Sequence, residues 1–324
     1  MDMTYYETTD FGMGTIIEQK VAVESTNEGE IVCQDISNLI KDLEGKMSYF
    51  IPESFVSQLN SSNGHFIKID PDTFCVLKTA KKYFELSGGS FDMTVAPLSA
   101  LWRDSIHNKT LPSEDTIQDL IKVVSGTDMI LDEKNSLAKI NKCQSIDLGG
   151  IGKGYAADIA LKAYKERGIK SAFINLGGNV HTLGEKTNGE PWMVGIQDPR
   201  HVRGINIAAL RICDRSVVTS GDYEKYFEMG NKRYHHIIDP KTGYPANSDL
   251  ISATVVSPSS MEADALSTAV FILGLEEGME LIEKIPGAEG VLITKDNNVF
   301  ITRGLKECLI AFRDAQDYKF YLYN

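Results

Sequence analysis

The sequence predicts an α/β protein of the α+β type, with mixed or antiparallel sheets flanked by helices. Alternating polar and apolar residues open the chain, and strand-like segments dominate its second half. Segments with helical spacing lie between them. No repeat, low-complexity tract or linker interrupts the chain, so we expect one compact domain over residues 1–324.

The composition excludes several classes of protein. The 324 residues are 42% apolar and 24% charged, enough for a substantial core. The net charge of -12, without a basic block, argues against binding to nucleic acid or to an anionic membrane. No apolar run approaches the roughly 20 residues of a transmembrane segment. The polar, acidic start lacks the features of a signal peptide, so we expect a cytoplasmic protein or one whose leader has been removed.

The cysteines are few and scattered. They are odd in number and form no C-x-x-C pair, which argues against a disulfide framework or a zinc site. Free, mostly buried thiols in a reducing compartment are therefore expected.

The first half reads as a strand followed mainly by helices. Residues 15–24 alternate as in a half-buried strand, and apolar residues between 32 and 43 follow helical spacing. Residues 47–60 are interpreted as a loop bounded by a proline. Helices are expected at 71–86, before a glycine pair, and at about 114–124.

The second half is rich in strands. A helix is expected from just after Gly154 to Arg167. Short strands should follow, separated by turn residues, and residues 291–302 are interpreted as a closing hairpin around Asp296. The expected strands before that hairpin are 171–175, 192–196, 205–212, 216–219 and 251–256.

The segment 145–158 (SIDLGGIGKGYAAD) joins the end of an apolar strand to a helix through a glycine-rich turn. Such a junction exposes backbone amides to an anion. Asp147 precedes the glycines and Lys153 stands among them, which suggests a nucleotide diphosphate site. The segment matches neither common phosphate-binding motif, and a plain tight turn between strand and helix is the alternative.

Asp264 and Thr268 stand four residues apart on a helix that a capping box, Ser259 with Glu262, should start. Their oxygens therefore lie on one face, an arrangement that suits Mg²⁺. A polar helix face, with the threonine bonded to its own backbone, is the alternative.

Histidines offer no zinc site. His235 and His236 are adjacent and should point in opposite directions on a strand, so that one could face a site. Asp239 could orient that histidine or simply cap its turn. Ser220 lacks the surroundings of a hydrolase nucleophile.

Taken together, these stretches closely resemble the ApbE family, the FAD:protein FMN transferases. The resemblance covers most of the chain, in family order. It rests on residues 13–15 (MGT), 48–60, 91–98 (FDMTVAPL) with Trp102, 147–156 (DLGGIGKGYA), 176–179 (LGGN), 219–223 (TSGDY), 236–243 (HIIDPKTG) and 263–268 (ADALST).

The resemblance implies an enzyme that binds FAD as substrate, uses Mg²⁺ at the diphosphate and transfers FMN to a threonine hydroxyl of an acceptor flavoprotein, releasing AMP. The metal would be bound by the Gly150 carbonyl with Asp264 and Thr268. His236, with Asp239 as partner, would serve as general base. By position, the residues contacting FAD would be Met13, Phe50, Ser90, Phe91, Asp92, Asp147 and Lys153.

The chain departs from the family pattern at two of these positions. Lys153 stands where some members carry Glu, and Phe50 where others place Tyr or Trp. The chain also lacks an evident acceptor motif, so the acceptor is expected to be another protein. A Mg²⁺-dependent FAD hydrolase giving FMN and AMP, and a flavin carrier without turnover, are the alternative functions.

Overall fold

The computed structural model describes residues 3–230 and 232–323; Met1, Asp2, Asn231 and Asn324 of the predicted domain lie outside the described residues. The helices α1 to α8 are Thr26–Met47, Phe55–Asn60, Pro71–Leu86, Ala96–Asn108, Glu114–Ile121, Gly152–Glu166, Ser260–Leu273 and Leu275–Glu283. The strands β1 to β9 are Thr4–Gly12, Thr15–Val23, Ile67–Lys68, Ile130–Asp132, Leu137–Lys139, Ala172–Leu176, Asn179–Leu183, Trp192–Gln197 and Asn206–Ile212. The strands β10 to β17 are Ser216–Gly221, Tyr226–Met229, Lys232–His235, Leu250–Ser257, Glu289–Thr294, Asn298–Ile301, Leu309–Ala311 and Lys319–Leu322. None of the helices within the described ranges has the length and apolar character needed to cross a membrane.

A nine-stranded sheet forms the centre of the molecule, in the order β1-β2-β6-β7-β10-β13-β14-β15-β17. Neighbouring strands are antiparallel except β15 and β17, which are parallel. The sheet is therefore mixed, and the predicted fold class is confirmed. Smaller sheets are β16-β9-β8, β3-β5-β4 and the hairpin β11-β12.

The two faces of the central sheet are covered differently. One face packs against helices, including α1, α3, α6, α7 and α8, in a large core. The other face packs against the sheet β16-β9-β8 in a second core. Leu292 of β14 faces the helices, whereas Val291 and Ile293 face the small sheet. This alternation is the period-two pattern of a strand buried on both sides.

Helix boundaries follow recognisable caps. Asp70 accepts hydrogen bonds from the first backbone N–H groups of α3, whose first residue is Pro71. The Ser259 side chain accepts from the Glu262 N–H at the start of α7. Both helices therefore begin where their capping residues indicated.

Three expectations need correction. The five cysteines are free, but only Cys33 is buried, so the thiols are not mostly buried as expected. In the segment 47–60, Met47 is the last residue of α1, and the loop extends only to Ser54, whose side chain caps the short helix α2. The helix went unnoticed because it has only six residues, too few for an apolar period to be seen. The expected C-terminal hairpin forms from β14 and β15, but it does not close the sheet, because β17 adds a further strand beside β15.

Candidate functional site

The glycine-rich turn before α6 is held in place by contacts from distant parts of the chain. The Asn60 side chain donates to the Ile146 carbonyl (3.0 Å) and accepts from its N–H (2.7 Å). The Asp147 N–H donates to the Met93 carbonyl (2.9 Å), and its carboxylate accepts from the Gly149 N–H (2.8 Å). The turn is therefore a fixed feature of the fold.

Gly154 brings the backbones of α6 and α7 into direct contact. A Cβ atom at this residue would lie 2.2 Å from the Ser260 carbonyl oxygen. The Gly154 N–H also donates to the carboxylate of Asp264 (3.0 Å). Any side chain here would push the two helices apart and break this hydrogen bond, so only glycine fits.

Asp158, one turn further along α6, fixes the start of α7. Its carboxylate accepts hydrogen bonds from the Ser259 hydroxyl (2.7 Å) and from the N–H groups of Ser260 (2.7 Å) and Met261 (3.0 Å). A carboxylate at a helix N-terminus is also favoured by the helix dipole. Asp158 thus sets the position of α7 and of the polar residues on it.

The three candidate metal ligands converge beside the glycine turn. Asp264 is 4% exposed, and Thr268 lies one turn further along α7. A Cβ atom on Gly150 would lie 3.5 Å from the Thr268 Oγ1 atom, so this glycine faces the threonine hydroxyl. A carboxylate, a hydroxyl and a carbonyl are hard oxygen donors, and this set fits Mg²⁺.

Within the described ranges there is no group of three or more His, Cys, Asp and Glu side chains suited to a metal ion. The candidate set contains a single carboxylate. Mg²⁺ is commonly held by one or two carboxylates together with substrate phosphate and water, so a sparse set agrees with its chemistry.

Lys153 places a positive charge at the same point. Its ammonium donates to the Gly149 carbonyl (2.7 Å) and lies 3.9 Å from the Asp264 carboxylate. The N–H groups of the turn at residues 149, 151, 152 and 154 already donate within the protein, so the Lys153 charge is the feature that makes this corner suitable for a diphosphate.

Met13 and Phe91 line the same glycine turn. Met13 lies in the β1–β2 turn with a positive φ of 51°, and its Cε atom is 3.7 Å from the position of a Cβ on Gly152. The Phe91 ring is 3.4 Å from the corresponding position on Gly150. The structure therefore brings both predicted FAD contacts to the candidate site.

Ser90 and Asp92, on either side of Phe91, are buried. The Asp92 carboxylate accepts from the Thr94 N–H and hydroxyl (both 2.7 Å) and from the Gly126 N–H (2.9 Å). Burial raises its pKa, while these hydrogen bonds act in the opposite direction. In this structure Asp92 shapes the segment that carries Phe91, and its oxygens are engaged by the protein itself.

Phe50 lies at the exposed edge of the site, with 68% of its surface accessible. The Arg103 guanidinium lies 4.7 Å from the centre of its ring and 3.6 Å from the Asp147 carboxylate. Arg103 therefore connects Phe50 to the glycine turn, through a cation–π contact on one side and a charge pair on the other.

The two adjacent histidines have different environments. His235 is 4% exposed; its Nε2 atom lies 3.0 Å from the Ala246 carbonyl, and its Nδ1 atom accepts from the Ile237 N–H. These partners assign a neutral ring with the proton on Nε2. Burial also lowers the pKa of His235. His235 is therefore part of the structural core.

His236 is exposed and lies just beyond the end of β12, so the expectation that both histidines belong to the strand is wrong for this residue. Its N–H donates to the Lys225 carbonyl (3.1 Å). Desolvation by surrounding protein atoms, with the charges of His235 and Lys225, lowers its pKa to about 4. At neutral pH its imidazole is therefore uncharged.

Asp239 is engaged in its own turn. Its carboxylate accepts from the Lys241 N–H (2.9 Å), and its backbone bonds with Gly243 and Tyr244 close the turn. The structure thus shows the turn-capping alternative for this residue. No hydrogen bond joins Asp239 to His236, two residues that are both described, so the expected partnership is not formed here.

Comparison with known proteins assigns the chain to a family. A sequence model of the ApbE family matches residues 13–292. The chain belongs to the ApbE family. Among curated ApbE relatives, the FAD:protein FMN transferase of Klebsiella pneumoniae (strain 342) is 33% identical over 84% of this chain and 85% of its own length. The FAD:protein FMN transferase of Treponema pallidum (strain Nichols) is 30% identical over 93% of this chain and 87% of its own length.

Solved structures of ApbE proteins share the fold. The ApbE protein of Thermotoga maritima superimposes with a TM-score of 0.86 at 32% identity, covering 94% of this chain and 99% of that one. The flavin transferase ApbE of Vibrio cholerae superimposes with a TM-score of 0.83 at 25% identity, covering 94% of this chain and 99% of that one. The family predicted from the ordered motifs is therefore confirmed.

Several residues that shape this ApbE site were not identified from the sequence. Asn60, Arg103 and Asp158 act across 86, 44 and 101 residues respectively, on Ile146, Asp147 and Ser259. No local pattern reveals such long-range pairs. Asn60 and Asp158 stood at the ends of recognised motifs, and Arg103 directly follows Trp102, which is the only signal that the sequence offered.

Proposed function

We propose that this chain is a FAD:protein FMN transferase, which moves FMN from FAD to a threonine hydroxyl of an acceptor flavoprotein and releases AMP. The observation that carries the proposal is the convergence of Asp264, Thr268 and Gly150 on a glycine turn that also holds Lys153. The names of the ApbE relatives support it.

The oxygen donors Asp264, Thr268 and Gly150 would hold Mg²⁺. When bound, the ion would neutralise charge on the diphosphate, which is the main requirement of phosphoryl transfer. Lys153 would add positive charge and help to fix the diphosphate in place.

In the proposed step the threonine oxygen bonds to the phosphorus of the FMN half, and the bond from that phosphorus to the bridging oxygen breaks. The bridging oxygen leaves with AMP. The threonine proton passes to a base, and His236 suits this role because its exposed imidazole is neutral at neutral pH.

FAD hydrolysis to FMN and AMP is the second candidate function. The observation that favours it is the exposure of His236, since water can reach the same base. The two activities would share FAD, the metal and the diphosphate site, and would differ only in what attacks the phosphorus. A flavin carrier would release no AMP at all.

The test is incubation with FAD, Mg²⁺ and a flavoprotein that carries a threonine flavinylation motif. We expect flavin fluorescence on the acceptor after denaturing electrophoresis, and AMP release that the acceptor accelerates at least about 10-fold. An acceptor with its threonine changed to alanine is the matched control. AMP and free FMN appearing at equal rates with and without acceptor, and no labelled acceptor, would support the hydrolase instead.

A further inference from the structure

Three hydroxyl groups form a chain behind the candidate metal site. Ser220 lies on β10, and its Oγ atom is 2.9 Å from Ser267 Oγ and 3.4 Å from Thr268 Oγ1, both on α7. Ser267 in turn donates to the Asp264 carbonyl (2.9 Å). Ser267 is fully buried, so its hydroxyl must find its partners within the protein, whereas Ser220 and Thr268 are half-buried.

The Asp264 carbonyl determines in which direction the three hydroxyl groups donate their hydrogen bonds. That oxygen has two lone pairs, and in an α-helix it also accepts from the N–H four residues later, at Thr268. With the Ser267 hydroxyl as second donor, both lone pairs are engaged. The Thr268 hydroxyl lies 3.4 Å from this carbonyl and also 3.4 Å from the Ser220 Oγ atom, so distance alone does not choose between the two acceptors. Because the carbonyl already accepts from two donors, Ser220 is the acceptor with a free lone pair.

The positions of the Ser220 and Thr268 hydroxyl protons follow from this arrangement. Because Ser267 gives its proton to the carbonyl, its oxygen can only accept from Ser220. The Ser220 oxygen is then free to accept from the Thr268 hydroxyl. Each hydroxyl thus donates in one direction, from Thr268 to Ser220 to Ser267.

We propose that Ser220 is a positioning residue that turns the Thr268 hydroxyl proton toward β10 and its lone pairs toward Gly150, where the metal would bind. This inference rests on the proposed function. Thr268 Oγ1 faces Gly150, as its 3.5 Å distance from the position of a Cβ on that glycine shows. A hydroxyl can serve as a metal ligand only through a lone pair, so an acceptor for its proton prepares it for that role.

The test measures metal binding directly. Free Mn²⁺, which prefers the same oxygen ligands as Mg²⁺, is followed by electron paramagnetic resonance during titration, with and without FAD. We expect Ser220→Ala to weaken Mn²⁺ binding about 3- to 10-fold. Ser220→Thr keeps the hydroxyl and should restore affinity. The Mg²⁺ concentration for half-maximal activity should shift by the same factor.

Thr219→Val is the matched control. Thr219 precedes Ser220 on β10, faces the other side of the sheet and bonds to Thr254 (2.8 Å). This variant also loses one hydroxyl hydrogen bond between strands, yet its Mn²⁺ affinity should equal that of the wild type. If Ser220→Ala fails to fold, Ser267→Ala interrupts the same chain one step later and should weaken binding in the same way.

The outcomes separate this inference from the function on which it rests. If Ser220→Ala binds Mn²⁺ within about twofold of the wild type, the positioning role is overturned while the metal site stands. If the wild type binds no more Mn²⁺ than Asp264→Asn, with or without FAD, the metal part of the proposed function fails and this inference with it.

Discussion

At the scale of single residues, the candidate site combines residues proposed to act in the chemistry with residues that hold the structure in place. His235 and His236 show this most clearly, because they are adjacent in sequence and differ in exposure and in hydrogen bonding. The buried ring is bonded on both nitrogens, whereas the exposed ring is neutral at pH 7 and has a lowered pKa.

We expect His236→Ala to lower the rate of FMN transfer by about 10²- to 10⁴-fold, because a general base contributes about that much. FAD affinity, measured by flavin fluorescence, should change little. His235→Ala is the matched control: it should lower the melting temperature, since it removes two buried hydrogen bonds, and should reduce the rate of the folded protein much less. Small and equal effects of both substitutions on the rate would show that neither imidazole is the base.

The pH dependence of transfer tests the environment of His236. Since its pKa is lowered to about 4, the imidazole stays neutral down to about pH 5, and protonation removes the base only as the pH falls through about 4. With an ordinary pKa of about 6.5, the rate would fall about 10-fold between pH 7.5 and 5.5. We therefore expect single-turnover rates that are nearly constant over this range. An acid limb centred near pH 6.5 would contradict this assignment.

At the scale of elements, the sequence predicted α3 and α6 close to their observed bounds and the start of α7, whereas α4 was not predicted. Helix α3 has its N-cap, Asp70, directly before its first apolar residues, and Ser259 caps the start of α7 in the same way. Helix α2 was missed because six residues show no period. The partner of the Asp239 carboxylate could not be predicted from the sequence, because the spacing allowed either His236 or a backbone N–H of its own turn. The structure shows the Lys241 N–H as its partner.

The contact between α6 and α7 is the element-level feature on which the site depends most. Its determinants, Gly154 and Asp158, were visible as part of a glycine-rich motif, but their partners lie about a hundred residues away in α7. Local sequence patterns report spacing within one helix and contain no information about which helix packs against it. A phosphate site at the turn could therefore be proposed from the sequence, whereas the reason for glycine at 154 required the structure.

We expect Gly154→Ala to destabilise the protein by at least about 3 kcal/mol, because its Cβ would lie 2.2 Å from a backbone oxygen that cannot rotate away. Gly45→Ala is the matched control, as Gly45 is also a helical glycine and a Cβ there meets nothing within 4 Å. That change should stabilise by up to about 1 kcal/mol. Urea unfolding measures both. A similar free energy of unfolding for the two variants would show that the close approach of the helices has no energetic importance.

At the scale of the whole molecule, distant parts of the chain share the same cores. The core on the helical face contains residues from Ile17 to Leu292, and Tyr5 of β1 packs edge-on against Trp192 of the small sheet, with ring centres 5.8 Å apart. Residues of the candidate site come from the β1–β2 turn, from the start of α6 and from α7. Such sharing favours a single cooperative unit, which remains a prediction for residues 1–324.

The two tryptophans of the chain allow that prediction to be tested. Trp102 packs with Tyr234 and Tyr244 beside the turn that follows His236, whereas Trp192 reports on the small sheet across the central sheet. In Trp102→Phe and Trp192→Phe, one tryptophan remains, and its fluorescence midpoint in urea should coincide with the midpoint from circular dichroism.

FAD with Mg²⁺ at 100 times its dissociation constant should add about 2.7 kcal/mol to the free energy of unfolding. Because ligand-binding residues come from distant elements, both reporters should shift together. A midpoint for Trp192 that separates from that for Trp102, or that ignores the ligand, would show that the small sheet unfolds as a domain of its own.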